Sequence, residues 1–311
     1  MRFLSKETHF DFMGRRRLAA VLSAVFIALA IGSLFVQRLN FGIDFTGGIL
    51  LELGYPEAAD IAGIRDQLAA GGYSDAQVQN FGTAKDVLVR LPPQEGVDGS
   101  EVREKLRRVL DVDAGSIDLR RVDFVGPQVG QELTEAGGLA TIFTLIMIFV
   151  YVMFRFQWRF AVGAVIALVH DVIITIGFFS LFQLPFDLSV LAAILAVIGY
   201  SLNDTVVAFD RIRENFLKLR GVEPADSINV SINQMLARTI ITGMTTLLVL
   251  VALLLLGGEA IRPFSIALIV GVIVGTYSSI YTASATALLL GVNAQDLLEP
   301  VKDPDLIDDL P

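Results

Sequence analysis

The stretch "NFGIDFTGGILLEL", Asn40–Leu53, decides how this chain is organised. It follows a long apolar run and opens a polar region of about one hundred residues. Three glycines, Gly42, Gly47 and Gly48, stand within seven residues of one another. Glycine reaches positive φ at no steric cost, so this is where a chain turns out of a helix axis and into a sheet. A second glycine-bearing stretch, "DFVGPQVGQEL", lies where the polar region ends, with Gly126 and Gly130. A folded unit is therefore hung between two joints. These read either as ordinary turns or as hinges that let the unit swing.

Outward from that unit the chain is apolar. It is 54% hydrophobic and only 18% charged, with a mean hydropathy of +0.63; soluble domains carry about 25% charged residues. The excess sits in blocks at Leu18–Val36, Gly137–Phe154, Ala161–Phe182, Leu188–Phe209, Thr239–Leu256 and Phe264–Leu290. Crossing a hydrocarbon core takes roughly 20 apolar residues, so six spans are expected. Arg15, Arg16 and Arg17 precede the first block, whose length favours a retained anchor over a cleaved signal. Lys and Arg gather in the tail before it, at Arg155 and Arg159, and between Arg211 and Arg238. The opposite short loops hold only Arg262. The positive-inside rule then puts both termini in the cytoplasm and exports the long loop. The expected layout is a cytoplasmic tail over 1–17, a first helix over 18–36, an exported domain over 37–136, five helices over 137–290 and an acidic tail over 291–311. The segment from Arg211 to Arg238 has amphipathic helical character and is expected to lie along the membrane surface.

The exported loop reads in order. Ile49–Leu53 is a strand, a helix starts near Pro56 and stops at Gly71–Gly72, and "AQVQNFG" and "DVLVRLP" alternate as strands around a Thr83–Lys85 turn. "SEVREKLRRVLD" is an amphipathic helix and "SIDLRRVDFVG" a last strand. The order βαββαβ makes a ferredoxin-like α+β domain. No pocket motif or metal spacing appears in it, so its work is contact or motion.

Several chemistries are excluded. There is no cysteine, and His9 and His170 are the only histidines. No phosphate-binding glycine loop appears, and a net charge of −9 without a basic exported stripe argues against nucleic acid. No enzyme activity, metal or cofactor is expected. The spans themselves carry acids, and an ionisable residue inside a membrane is a functional hypothesis by default. Asp171 sits near the middle of the third span, with His170 beside it facing another direction and read as a hydrogen-bonded neighbour. Asp204 lies in the fourth, next to Asn203, with Asp210 and Arg211 nearer its inner end. A desolvated carboxylate can be neutral part of the time, so these residues form a candidate proton relay. For Asp204 a helix pin, and for Asp210 and Arg211 an interfacial charge cluster, stay open. In the sixth span Gly271, Gly275 and Ser279 recur every four residues, a spacing that lets another helix approach closely, from this chain or a partner.

"FGIDFTGG", "VGPQVG" and "GYSLNDTVVAFDRIREN" together resemble the SecD/SecF family of protein-export membrane proteins, on its SecF side, within the resistance–nodulation–division superfamily. The resemblance runs over nearly the whole chain, and the modest exported loop favours SecF over SecD. It implies an accessory subunit of the Sec translocase in the bacterial inner membrane, using the proton-motive force to complete export. It also implies as partners SecD, the SecYEG channel, the exported polypeptide and the lipid bilayer, with YajC/YidC left open. A proton-coupled exporter of small molecules or lipids is the alternative; such relatives carry larger exported domains. A passive scaffold of the translocon would share the topology, and Asp171 argues against it. An intramembrane aspartyl protease lacks its glycine-flanked acids here.

Overall fold

The structure is a computed structural model that describes residues 8–93, 99–110, 117–219 and 221–293, without the side chains of 99–103. The acidic tail falls outside the described residues from 294 onward. Among the described residues, six helical spans are long and apolar enough to cross a membrane. They are α1 (Arg16–Val36), α5 (Pro127–Arg155), α6 (Trp158–Leu181), α7 (Leu188–Lys218), α8 (Pro224–Leu256) and the stretch Glu259–Leu289. The last contains α9 (Arg262–Ser278), a π-helical segment (Ser279–Ala283) and α10 (Ser284–Leu289). Helices meet the demand that every backbone polar group in lipid be satisfied within its own segment.

Between α1 and α5 lie β1 (Asn40–Phe41), the single-turn helix α2 (Ile43–Thr46), β2 (Gly48–Gly54), α3 (Ile61–Ala70), β3 (Gln77–Phe81), β4 (Thr83–Leu91), α4 (Gly99–Val109) and β5 (Asp118–Val125). The four long strands form one antiparallel sheet in the order β3-β4-β2-β5. Leu51, Leu53, Val87, Val89 and Leu91 of the sheet bury against Ile64 and Leu68 of α3 and Leu106 of α4. This is the alternation that the sequence carries in each strand.

Three local expectations are corrected. Helix α3 begins at Ile61, because Asp60 caps it by accepting from the Ala62 N–H at 3.1 Å, while Tyr55 and Ala59 bond to the Lys85 and Ala84 carbonyls. Thr83–Lys85 is strand, because Gly82 alone, at φ +79°, makes the turn. The Arg211–Arg238 segment does not lie separately on a surface. Helix α7 runs on to Lys218 and α8 starts at Pro224, where a proline at the first helical position fits. At 33 residues α8 is about 50 Å long, well beyond a ~30 Å hydrocarbon core. The apolar face of this region packs helix on helix: Ile212 and Phe216 of α7 share a core with Ile228 and Ile232 of α8. Asn215 donates to Ser231 Oγ at 2.9 Å and to Gln234 Oε1 at 3.0 Å in the same seam.

The extension of α8 also holds the segment before α1. Asn233 accepts from the Phe10 N–H at 2.9 Å and donates to the Phe10 carbonyl at 2.8 Å. Asn229, one turn earlier, accepts from Met13 N–H at 2.8 Å and donates to Asp11 at 2.9 Å. The Gly14 N–H and the Asn229 amide hold the Asp11 carboxyl below its ordinary range. The strap is therefore firm above the usual Asp range and loosens as pH falls through the lowered value. Asn233→Ala removes both Phe10 bonds, worth about 1–2 kcal/mol together. Residues 8–14 are expected to become protease-sensitive while the bundle stays intact; unchanged protection would show that the asparagines do not hold the strap.

A second, two-stranded sheet was not foreseen. Strand β1 pairs in parallel with β6 (Pro185–Phe186), in the connection between α6 and α7. It ties the root of the sheet domain to the helix bundle.

Candidate functional site

Helix α6 carries Asp171 and His170, and both are buried, at 0% and 3% exposure. The two side chains do not diverge as expected but meet as hydrogen-bonded neighbours: His170 Nδ1 lies 2.9 Å from Asp171 Oδ1. Two hydroxyls donate to Asp171 Oδ2: Ser201 of α7 at 2.6 Å and Ser278 of α9 at 2.7 Å. On the far side of the imidazole, Nε2 lies 3.1 Å from Ser23 Oγ of α1, and Ser23 lies 3.1 Å from the Tyr277 hydroxyl. Tyr277 in turn donates to the Ala19 carbonyl at 2.7 Å. Asp171 and His170 together thus gather α1, α6, α7 and α9.

The local sequence explains the approach. Small residues bring the helices together: a Cβ on Gly275 would come 3.0 Å from Ser201 Cβ, and one on Gly271 would collide with Val197 at 2.1 Å. The small-residue ridge of the sixth span therefore packs on α7 of this same chain. Farther along it, the Ala283 carbonyl would be 2.8 Å from a Cβ on Gly163 of α6. Ser279 starts the π-helical segment directly after Ser278. Such bulges shift the phase of a helix and recur at functional sites; this one lets Tyr277 and Ser278 serve the site while Ala283 and Ala287 pack below it.

Asp204 lies one turn beyond Ser201 on α7 and is 5% exposed. Its Oδ2 is buried without a hydrogen-bond partner among the described residues. Arg238 of α8 acts on it through space. Asn203 points off the bundle and is exposed. Asp210 pairs with Arg155 at 2.8 Å, and Arg211 with Glu214 at 2.8 Å, all of them roughly two-fifths exposed. These two pairs form a charge cluster near the end of α7, apart from the buried acid. Sequence reasoning missed Ser23, Ser278 and Arg238. Their one advance signal is polarity within or beside an apolar block.

The glycines of the joints are also placed. Gly47 and Gly48 take φ of +71° and +123°. A Cβ on Gly47 would lie 2.8 Å from Pro127 Cα, and one on Gly130 would lie 2.8 Å from Gly47 N. A Cβ on Gly42 would meet Asp187 at 3.1 Å, whereas Gly126 has open space around it. The two joints therefore pack on each other and on the start of α7. No group of three or more potential metal ligands occurs among the described residues.

A bundle of six membrane helices, a small antiparallel sheet domain inserted after the first, and a buried aspartate–histidine pair joining four spans define a multi-pass membrane protein with a polar network inside its bundle. Residues 105–293 match the family described as protein export membrane protein SecD/SecF, C-terminal, and residues 32–55 match the SecD/SecF GG motif. The chain belongs to the SecD/SecF family. It is 51% identical to the protein translocase subunit SecF of Vibrio alginolyticus, over 96% of this chain and 95% of that one. It is 50% identical to the SecF of Pseudomonas aeruginosa, over 97% of each. Among solved structures it is similar to SecDF of Thermus thermophilus, a translocon-associated membrane protein, with 38% identity and a TM-score of 0.82. That match covers 93% of this chain and 39% of the longer SecDF chain.

Proposed function

We propose that this protein is the SecF-type accessory subunit of a Sec translocase and that it works with SecD, using the proton-motive force to complete polypeptide export. It sits in the bacterial inner membrane with both termini in the cytoplasm. Residues 37–136 form the exported ferredoxin-like domain, which contacts the emerging chain or moves against SecD.

The observation that carries the proton role is a count. Four contacts run in series from Asp171 through His170, Ser23 and Tyr277 to the Ala19 carbonyl. With Asp171 ionised and His170 neutral, the ring, the serine and the tyrosine supply three protons for those four links. One further proton completes the chain, whether it rests on Asp171 or on the imidazole. A network, buried at its Asp171–His170 end, that is satisfied with the extra proton and one link short without it is a site for holding and passing that proton. Asp204, with its unpartnered oxygen, is the second acid of the relay, on the helix that also donates Ser201.

The names of the relatives support the translocase reading, and SecDF joins both subunit names in one chain. The exposed side of α7 offers a place for SecD: Ala192, Ala196, Gly199 and Asn203 form a stripe that faces off the bundle. A lipid-facing amide is costly, so Asn203 calls for a polar partner from another chain. SecYEG and the exported polypeptide complete the assembly, and YajC/YidC stay open as further members. The test is tagged purification from membranes in mild detergent with mass spectrometry of what accompanies the protein. Co-recovery of a SecD-like chain and channel subunits is expected. Recovery alone, or with an outer-membrane channel and adaptor, would contradict the assignment.

A further inference from the structure

Asp44, the one acid of "NFGIDFTGG", is used by neither the proton site nor the sheet core. It lies half-buried in the single-turn helix α2. Its Oδ2 accepts from the backbone N–H of Leu188 at 2.9 Å. Leu188 is the first residue of α7. The helix's own cap, Asp187, accepts from Val190 N–H at 3.0 Å and Ser189 Oγ at 2.6 Å. The donor end of a helix has unpaired N–H groups and a partial positive charge. Two carboxylates therefore grip the start of α7, and one of them comes from the root of the exported domain.

The grip is backed on every side. Gly42 N–H donates to the Phe186 carbonyl at 2.7 Å, extending the β1–β6 bridge. Phe41, Phe45 and Phe186 pack against one another with ring centres 5.8–5.9 Å apart, Phe41 edge-to-face on the other two. Arg90 reaches from β4 of the sheet domain and donates to Asn40 Oδ1 at 3.0 Å and to the Phe41 carbonyl at 2.8 Å. Burial disfavours the charge on Arg90, while Asp187 and Asp44 favour it. A strand of the exported domain, the glycine motif and the first turn of α7 thus form one knuckle. Thirteen residues along the same helix, about 20 Å at 1.5 Å per residue, Ser201 donates to Asp171.

We infer that Asp44 is a positioning residue that couples the exported domain to α7, so that a displacement of α7 at Asp171 is delivered to the root of the sheet. The inference rests on the proton-driven reading given above. A helix is stiff along its axis, and its first backbone N–H is a point at which an axial shift is felt in full. Hydrogen bonding there transmits the shift without a covalent link, which suits a joint whose glycines are closely packed.

The test is hydrogen exchange on the full chain with its membrane partner. Asp44→Ala is expected to speed exchange of the Leu188 amide about ten-fold, the loss of one helix cap, while Asp44→Asn, also a good cap, keeps most of the protection. Asp171→Asn is expected to change exchange over residues 40–48 in the otherwise native chain and in the Asp44→Asn background, and not in the Asp44→Ala background. Unchanged exchange at Leu188 in Asp44→Ala would overturn the clamp. An equal response of residues 40–48 in native and Asp44→Ala backgrounds would overturn the coupling. If Asp171→Asn altered exchange neither in α7 nor at 40–48, the proton-driven reading would fall, and the coupling inference with it.

Discussion

Gly48→Ala is expected to keep the protein from accumulating in membranes. Gly48 has φ +123°, and a Cβ there would lie 2.3 Å from the Leu91 carbonyl oxygen. That oxygen belongs to the strand paired with β2, where Ile49 stands opposite Leu91, so it cannot step aside without opening the ladder. Holding a non-glycine residue in such a conformation costs roughly 1–3 kcal/mol before the clash is added. Native domains have only about 5–15 kcal/mol in hand. Gly126→Ala is the matched control: its backbone is extended at φ −65° and nothing lies within 4 Å of the added carbon. Immunoblots of membrane fractions should show Gly126→Ala at native level and Gly48→Ala depleted. Equal levels would mean that the sheet tolerates a side chain at the joint. Full export by a Gly47→Ala, Gly48→Ala double variant would remove the hinge reading as well.

The second large effect concerns Asp171, where two substitutions separate folding from proton handling. Asp171→Ala leaves the Ser201 hydroxyl without its acceptor and the His170 ring without its carboxylate partner, while Ser278 keeps only the Gly275 carbonyl at 3.2 Å. Each orphaned buried donor costs about 1–3 kcal/mol, so this variant is expected to melt early in detergent. Asp171→Asn keeps the shape and an acceptor oxygen for the serines, and its amide can donate to the other histidine tautomer. It is expected to fold and assemble, yet to lose export by about 10²-fold, the scale of losing a positioned proton-transfer group. Native-level export by Asp171→Asn would remove Asp171 from the relay.

The spans were legible because hydropathy acts residue by residue along a helix. The succession of strands and helices in the sheet domain was legible because each face alternates in its own period. What the sequence hid was set by contacts between distant segments. The polar-apolar pattern of Arg211–Arg238 is real, but its apolar face, Ile212 and Phe216 of α7 with Ile228 and Ile232 of α8, is buried helix against helix. Asp171 stood out through depth alone, whereas its partner Ser278 is 107 residues away and the serine that meets His170 is 147 away. No periodicity announces such pairs. The π-helical segment that shifts the phase of the sixth span is likewise a product of packing. Arg211 and Asp210 read in sequence either as relay members or as an interfacial charge cluster, and their exposed pairing with Glu214 and Arg155 fits the cluster. Asp44 was read only as part of a turn, because the N–H it caps lies 144 residues farther on.

The central claim is that a proton held at Asp171 drives the exported domain. Its most direct test is the release of a preprotein trapped late in export from spheroplasts, timed with and without an ionophore that collapses the proton gradient. The account predicts that the ionophore slows release in the native strain, and that Asp171→Asn is slow already and unaffected by the ionophore. Ionophore-sensitive release at native speed in Asp171→Asn would contradict it.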